Sequence, residues 1–222
     1  MKGVFIIGTD TGVEKSVVCA GLLKMAARNG SAVYWKPIQT GTIHGDDTQE
    51  VKALTGLDAN HFMEPLYRFP EVLSPYMAAK KWGKKIEMAP IVSGIQKATD
   101  ENRFVVIEGS GGLLVPYDES WNQLDLIKAS QLPVLIVGKD KVGVINQALL
   151  TVEALKRETM ALLGVVLTSS SGTDANSSVI EKFGNCSVIY SLLHKEDRKM
   201  LMADIERCDA LKNIFKFNHP TV

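Results

Sequence analysis

Six short runs of this chain are apolar from end to end: Val4–Ile7, Ala32–Trp35, Phe104–Ile107, Val134–Val137, Val165–Leu167 and Val188–Tyr190. None alternates between apolar and polar positions. A strand with one wet face alternates at period two, so these runs read as strands buried on both faces. Between them lie stretches of helical length and pattern: Ser16–Arg28, Thr48–Leu54, Ala89–Thr99, Leu124–Ser130, Asn146–Lys156, Thr173–Phe183 and Glu196–Leu211. The first ends on Asn29-Gly30, a pair suited to closing a helix. Strand–helix alternation dictates an α/β fold, a mainly parallel sheet with helices on both faces. Leu57–Pro75 carries Pro65, Pro70 and Pro75 and is expected to be irregular. No linker or repeat divides the chain, and 222 residues at 45% apolar suffice for one domain, 1–222, with a packed core.

The turn after the first strand reads Gly8-Thr9-Asp10-Thr11-Gly12-Val13-Glu14-Lys15-Ser16. It follows a strand and opens a helix, the setting in which G-x-x-x-x-G-K-[ST] is a phosphate loop. In such a loop, backbone N–H groups and the helix N-terminus cradle phosphate oxygens. The lysine reaches the outer phosphates and the following hydroxyl binds a divalent cation. Gly8, Lys15 and Ser16 fit this pattern, but the second glycine is replaced by Glu14. If the loop needs positive φ there, a side chain costs about 1–2 kcal/mol. A carboxylate about 6 Å from a phosphate charge would cost roughly 3 kcal/mol at an effective dielectric near 20. Three outcomes are open for Glu14: it points to solvent, it is screened by Lys15 and a metal, or it weakens nucleotide binding.

Ligands of open parallel sheets sit at the carboxyl ends of strands, so the residues just past each strand carry the chemistry. After the second strand comes Trp35-Lys36-Pro37-Ile38-Gln39-Thr40-Gly41, where Lys36 would add a second cation beside the loop. Its replacement by alanine is expected to abolish turnover while largely sparing the fold. Gly45-Asp46-Asp47-Thr48 opens a helix, and a carboxylate there fits either a metal or a helix cap. After the third strand comes Glu108-Gly109-Ser110-Gly111-Gly112, an acid placed as a metal-linked carboxylate of phosphate-loop enzymes would be. After the fourth comes Gly138–Asn146, where two lysines and a glycine before a helix suit a carboxylate ligand. Asn146 suits an N-cap equally well.

The composition excludes several alternatives. Equal numbers of acidic and basic side chains, 25 each, argue against a nucleic-acid binder. No apolar run approaches the roughly 20 residues of a membrane span, and the N-terminal run is too short for a signal peptide. Cys19, Cys186 and Cys208 are scattered, without a CxxC pair, which fits a reduced cytoplasmic protein. His44, His61, His194 and His219 form no spaced cluster. Trp82 and Trp121 are expected to be packing residues.

Taken together these stretches resemble the dethiobiotin synthetase family. The resemblance rests on Gly8–Ser16, Lys36-Pro37-Ile38-x-Thr40-Gly41, Asp47 and Leu73-Ser74-Pro75. It continues through Val106–Leu113, Leu132-Pro133-Val134 and Gly143–Thr151, in the family's order over roughly residues 1–168. It implies the P-loop NTPase fold and a homodimer. It further implies ATP- and Mg²⁺-dependent closure of a ureido ring on 7,8-diaminopelargonate with CO₂, by way of a carbamate and a carbamic–phosphoric mixed anhydride. Carried over by position, Ser16, Asp47 and Glu108 would hold Mg²⁺, and Lys15, Lys36 and Thr11 would act on the transferring groups. Nucleotide contacts would come from Gly12, Val13, Glu14, Lys15, Ser16 and Val17, from Asp47, from Glu108, Gly109, Ser110 and Gly111, and from Thr168. Thr40 and Gly41 would meet the substrate, with Gly143, Val144 and Asn146 of the partner subunit receiving its carboxylate.

The departures fall at one end of the site. Glu14 replaces a glycine, Gly164–Thr168 lacks the family's asparagine for the base, and Ser187–Leu192 lacks its Gly-x-Ile-Pro turn. Loose base discrimination or weak nucleotide affinity is therefore expected. Two alternatives are a related partitioning-type switch ATPase and a degenerate, nucleotide-weak homologue. The switch proteins carry a further lysine near the start of the loop, where this chain has Thr9-Asp10-Thr11. Retention of Lys15, Ser16, Lys36, Asp47 and Glu108 together argues against decay.

Overall fold

The computed structural model describes residues 1–169, 175–193 and 198–216. In chain order the elements are β1 Gly3–Gly8, α1 Lys15–Asn29, β2 Ala32–Trp35, β3 Ile38–Thr40 and α2 Asp47–Thr55. There follow β4 Phe62–Met63, β5 Tyr67–Phe69, α3 Pro75–Lys81, α4 Met88–Asp100, β6 Phe104–Glu108 and α5 Gln123–Ser130. The chain continues with β7 Val134–Asp140, α6 Val144–Arg157, β8 Leu162–Ser169, α7 Ala175–Gly184, β9 Val188–Leu193, α8 Arg198–Arg207 and α9 Asp209–Lys216.

Seven strands form one sheet in the order β4-β2-β6-β1-β7-β8-β9, every neighbouring pair parallel. Successive residues of each central strand go to opposite cores. Phe5, Ile7, Val33, Trp35, Val105 and Ile107 pack with α4, α5 and α6. Val4, Ile6, Tyr34, Val106 and Leu135 pack with α1 and α8 on the other face. This explains the unbroken apolar runs: with both faces dry, no position is left for a polar residue. The chain leaves β1 toward β2 on one side and leaves β7 toward β8 on the other. Diverging connections open a crevice at the carboxyl ends of the strands.

The elements differ from the sequence expectation where the signal is not local. The region 57–75 is not wholly irregular: β5 pairs with β3 in a separate two-stranded sheet, in register from Ile38–Tyr67 to Thr40–Phe69. Strands of three residues, made by distant segments, leave no periodicity to read. The expected helix 196–211 begins outside the described residues at Glu196 and Asp197, and from Arg198 onward it is two helices, with Asp209 in the first turn of the second, where an acid suits the helix dipole. The expected start of the helix at Thr173 lies outside the described residues, as do His194 and His219. Trp121 packs edge-on against Tyr117, but Trp82 is half exposed and donates its indole N–H to Glu71 at 2.8 Å. The three cysteines are free thiols.

Helix α8 lies close against α1. A Cβ on Gly21 would come within 2.5 Å of the Ile205 side chain. Gly21→Val therefore overpacks the contact and is expected to cost about 1–3 kcal/mol of stability, read as a lower urea midpoint at unchanged m-value.

Candidate active site

The phosphate loop is held from both neighbouring strands. Gly8 N–H donates to the Gly111 carbonyl at 3.0 Å, and Thr9 N–H to the Val137 carbonyl at 2.8 Å. Gly8 is required sterically, because a Cβ there would lie 2.4 Å from the Asp10 carbonyl oxygen. No side chain caps α1. Its first-turn N–H groups are therefore available to an anion, reinforced by the helix dipole. Glu14 adopts φ 68° and ψ 33°, so the left-handed requirement that glycine normally meets is real here. Lys15 folds back over the loop, its Nζ donating to the Asp10 carbonyl at 3.3 Å. Burial lowers its pKa, with Lys36 adding to the effect and Glu108 opposing it.

At the mouth of the loop, four elements bring their charged groups together. Lys36 Nζ donates to Glu108 Oε1 at 2.9 Å and also to Asp47 Oδ2. Ser16 Oγ reaches the same two carboxylates, at 3.2 Å from Glu108 Oε1 and 3.4 Å from Asp47 Oδ1. Lys36 and Glu108 are almost completely buried. Burial alone would depress the Lys36 ammonium, but the charges of Glu108 and Asp47 outweigh it and its pKa rises above the ordinary lysine value. Burial likewise pushes the Asp47 carboxyl up, and Lys36 more than reverses this, holding it below the usual range. The ambiguity over the helix start is resolved by division of labour. Asp46 accepts from Gln49 N–H at 3.2 Å and caps α2, which leaves Asp47 free to face Ser16 and Lys36.

Two carboxylates and a hydroxyl form an oxygen-only donor set. Such a set suits a hard divalent cation that draws its remaining ligands from substrate phosphates and water. Among the described residues no three His, Cys, Asp or Glu side chains converge as a metal cage, so an all-protein site is absent there.

A cavity of about 450 Å³ joins these groups. Its walls include Thr11, Gly12, Val13, Glu14, Lys15 and Ser16 of the loop, then Lys36, Thr40 and Asp47, then Glu108, Ser110 and Gly111. Other expected residues fall elsewhere. Val17 is buried in the core of α1, and Gly109 packs so closely that a Cβ would meet Gln123 Oε1 at 2.2 Å. Thr168 is buried in β8 with its hydroxyl directed to the Gly138 carbonyl at 3.3 Å. Gly41 lines an adjoining hollow with Thr40 and Asp47. Gly143, not Asn146, is the N-cap of α6, and Val144 is buried. Asn146 lines a separate hollow with Leu149, Leu150 and Phe183. The preceding loop does touch the site, through Lys141 Nζ at 3.2 Å from Asp10 Oδ2.

Several contributors went unnoticed in the sequence. The Tyr34 hydroxyl donates to Glu108 Oε2 at 2.9 Å and so satisfies the second oxygen of that buried acid. The signal was present, since Tyr34 stands two residues before Lys36. Gln123 accepts from Ser110 N–H at 2.7 Å and donates to the Gly112 carbonyl at 2.8 Å, which pins the glycine turn. Nothing local announces it. Glu50 and Arg198 also line the cavity. Arg198 answers the question of Glu14: the carboxylate neither faces solvent nor leans on Lys15, but lies 3.1 Å from the Arg198 guanidinium.

Known proteins resemble this chain in sequence and in fold. A family model described as an AAA domain matches residues 2–199. The chain is similar to the ATP-dependent dethiobiotin synthetase of Paramagnetospirillum magneticum, 38% identical, covering 85% of this chain and 86% of that one. It is also similar to the one of Anaeromyxobacter sp. strain K, 35% identical, with 90% of each chain covered. Among solved structures it shares its fold with the septum site-determining protein MinD of Pyrococcus horikoshii (TM-score 0.61, 10% identity, 98% and 96% covered). A ParA family ATPase of Chlorobium tepidum is alike in the same sense (TM-score 0.58, 12% identity, 96% of each).

Burial of Lys36 between two acids changes what its loss should do. Lys36→Met strands two carboxylates in a largely dry setting and is expected to cost about 3–5 kcal/mol in metal-free buffer. A measurable loss of stability is therefore expected beside the loss of turnover, and urea unfolding with and without added Mg²⁺ checks this, with Mg²⁺ recovering part of the loss.

Proposed function

Because this chain belongs to the dethiobiotin synthetase family, we propose that it closes a ureido ring on 7,8-diaminopelargonate with CO₂ and ATP, releasing dethiobiotin, ADP and phosphate. The observation that carries this reading is the convergence of Lys15, Lys36, Ser16, Asp47 and Glu108 on one cavity beside an uncapped helix N-terminus. A phosphate-binding loop alone serves many reactions. A second buried cation at the loop mouth suits a reaction in which two anions, a carbamate and a polyphosphate, must be held together.

In the proposed sequence one substrate amine takes up CO₂ and gives a carbamate. A carbamate oxygen attacks the γ-phosphorus, ADP leaves, and a mixed anhydride forms. The second amine attacks the anhydride carbon, phosphate departs, and the ring closes with loss of the amine proton. Lys36 lies where it can meet the carbamate oxygens, and Lys15 the outer phosphates. The loop N–H groups hold the remaining phosphate oxygens, Thr11 adds a hydroxyl, and Thr40 lines the substrate end.

The cavity as built carries one more carboxylate than cation, since Glu14, Asp47, Glu50 and Glu108 face Lys15, Lys36 and Arg198. A polyphosphate would enter such a cavity poorly unless it brought positive charge. We assign Mg²⁺ to Ser16, Asp47 and Glu108, where it would neutralise the transferring phosphates. The proposal includes a homodimer in which Gly143, Val144 and Asn146 of one protomer complete the substrate site of its partner. Gly143 and Asn146 are exposed and lie outside the cavity of their own chain, which supports that, whereas Val144 is buried and would act by holding the turn. Free thiols at all three cysteines suit a reducing cytoplasm. Among the described residues no helix is long and apolar enough to cross a membrane.

Incubation with diaminopelargonate, bicarbonate, Mg²⁺ and ATP is expected to yield dethiobiotin, detected by mass, and Lys36→Ala to abolish it. No product, with ATP hydrolysis indifferent to substrate, would place the chain with the switch ATPases instead. Turnover of ATP, CTP and GTP side by side is expected to differ little. A strong preference for ATP at low micromolar affinity would refute the expected loose base pocket.

A further inference from the structure

Glu14 is an acid inside a loop whose task is to hold anions. Its side chain is only 10% exposed, and its Oε2 is buried without an aligned hydrogen bond. Among the described residues its cationic partner is Arg198, at the start of α8, whose Nη2 lies 3.1 Å from that oxygen. The other arm of the guanidinium pairs with Glu50 of α2. All three side chains line the same cavity as Lys15 and Ser16. Helix α8 packs closely on α1, where a Cβ on Gly21 would lie 2.5 Å from the Ile205 side chain, and this packing carries the guanidinium to the loop.

We propose that Arg198 is a positioning residue for nucleotide binding: it neutralises Glu14 and holds the carboxylate away from the phosphate seat. Near the C-terminal end of the fold, α8 thereby completes a phosphate loop that would otherwise repel its ligand. The inference rests on the reading of this loop as a polyphosphate site. It adds a residue to that site and a reason for the chain to keep an acid where glycine is usual. An unpaired charge about 6 Å from a phosphate at an effective dielectric near 20 corresponds to about a hundredfold in affinity. Solvent around the half-exposed guanidinium reduces this, so about tenfold is expected.

Calorimetric binding of a Mg²⁺-loaded β,γ-imido analogue of ATP tests the proposal. Arg198→Ala should weaken binding about tenfold or more. Adding Glu14→Gln, which removes the charge but keeps the shape, should restore most of it, and Arg198→Lys should stay within a few-fold of the parent. Should Arg198→Ala fold poorly, Arg198→Gln makes the same comparison. Unchanged affinity in the single variant overturns the proposal. So does a double variant as weak as the single one, since Arg198 would then be a direct phosphate ligand or a purely structural residue. If the unaltered protein binds no nucleotide, the polyphosphate reading itself fails and this inference with it, an outcome separable from the other two.

Discussion

Lys36 holds its ammonium between two carboxylates, and the rest of the site is arranged around that contact. It joins the segment after β2 to the first turn of α2 and the last residue of β6, while Ser16 ties in the start of α1. Removing charges from water costs several kcal/mol per ion, so the cluster is tolerable only with its members satisfied. That condition explains Tyr34, which supplies a hydroxyl to the remaining Glu108 oxygen, and Asp46, which takes over the capping of α2. The same arrangement suits a phosphoryl-transfer site. The carboxylates that accept from the buried Lys36 are also the groups a divalent cation would use.

The sheet makes this possible by being dry on both faces. A polar side chain can be placed only at a strand end, where the chain emerges, and the parallel arrangement puts all those ends on one edge. Charged residues just past strands therefore converge without any local instruction to do so. The phosphate loop after β1 meets the glycine turn after β6 through the Gly8–Gly111 hydrogen bond, and Gln123 pins that turn from α5.

Much of this was legible in the sequence. The apolar runs marked β1, β2, β6, β7, β8 and β9, because burial on both faces leaves a compositional trace in the residues themselves. Lys15, Ser16, Lys36, Asp47 and Glu108 could be singled out, because each stands at a strand end or helix start where ligands gather. What escaped notice depends on pairing. The strands β3 and β5 exist through each other, and Gln123 acts on a turn it does not adjoin.

Glu14 draws the line between the two kinds of information. The sequence by itself determined that an acid occupies a glycine position in a phosphate loop, and that the fold is a doubly covered parallel sheet, since periodicity and motif spacing are properties of neighbouring residues. Only the tertiary structure decided what that acid does. Its counter-charge, Arg198, comes from near the other end of the chain, carried there by the packing of α8 on α1. Coulomb energy depends on distance in space, and separation along the chain does not specify it.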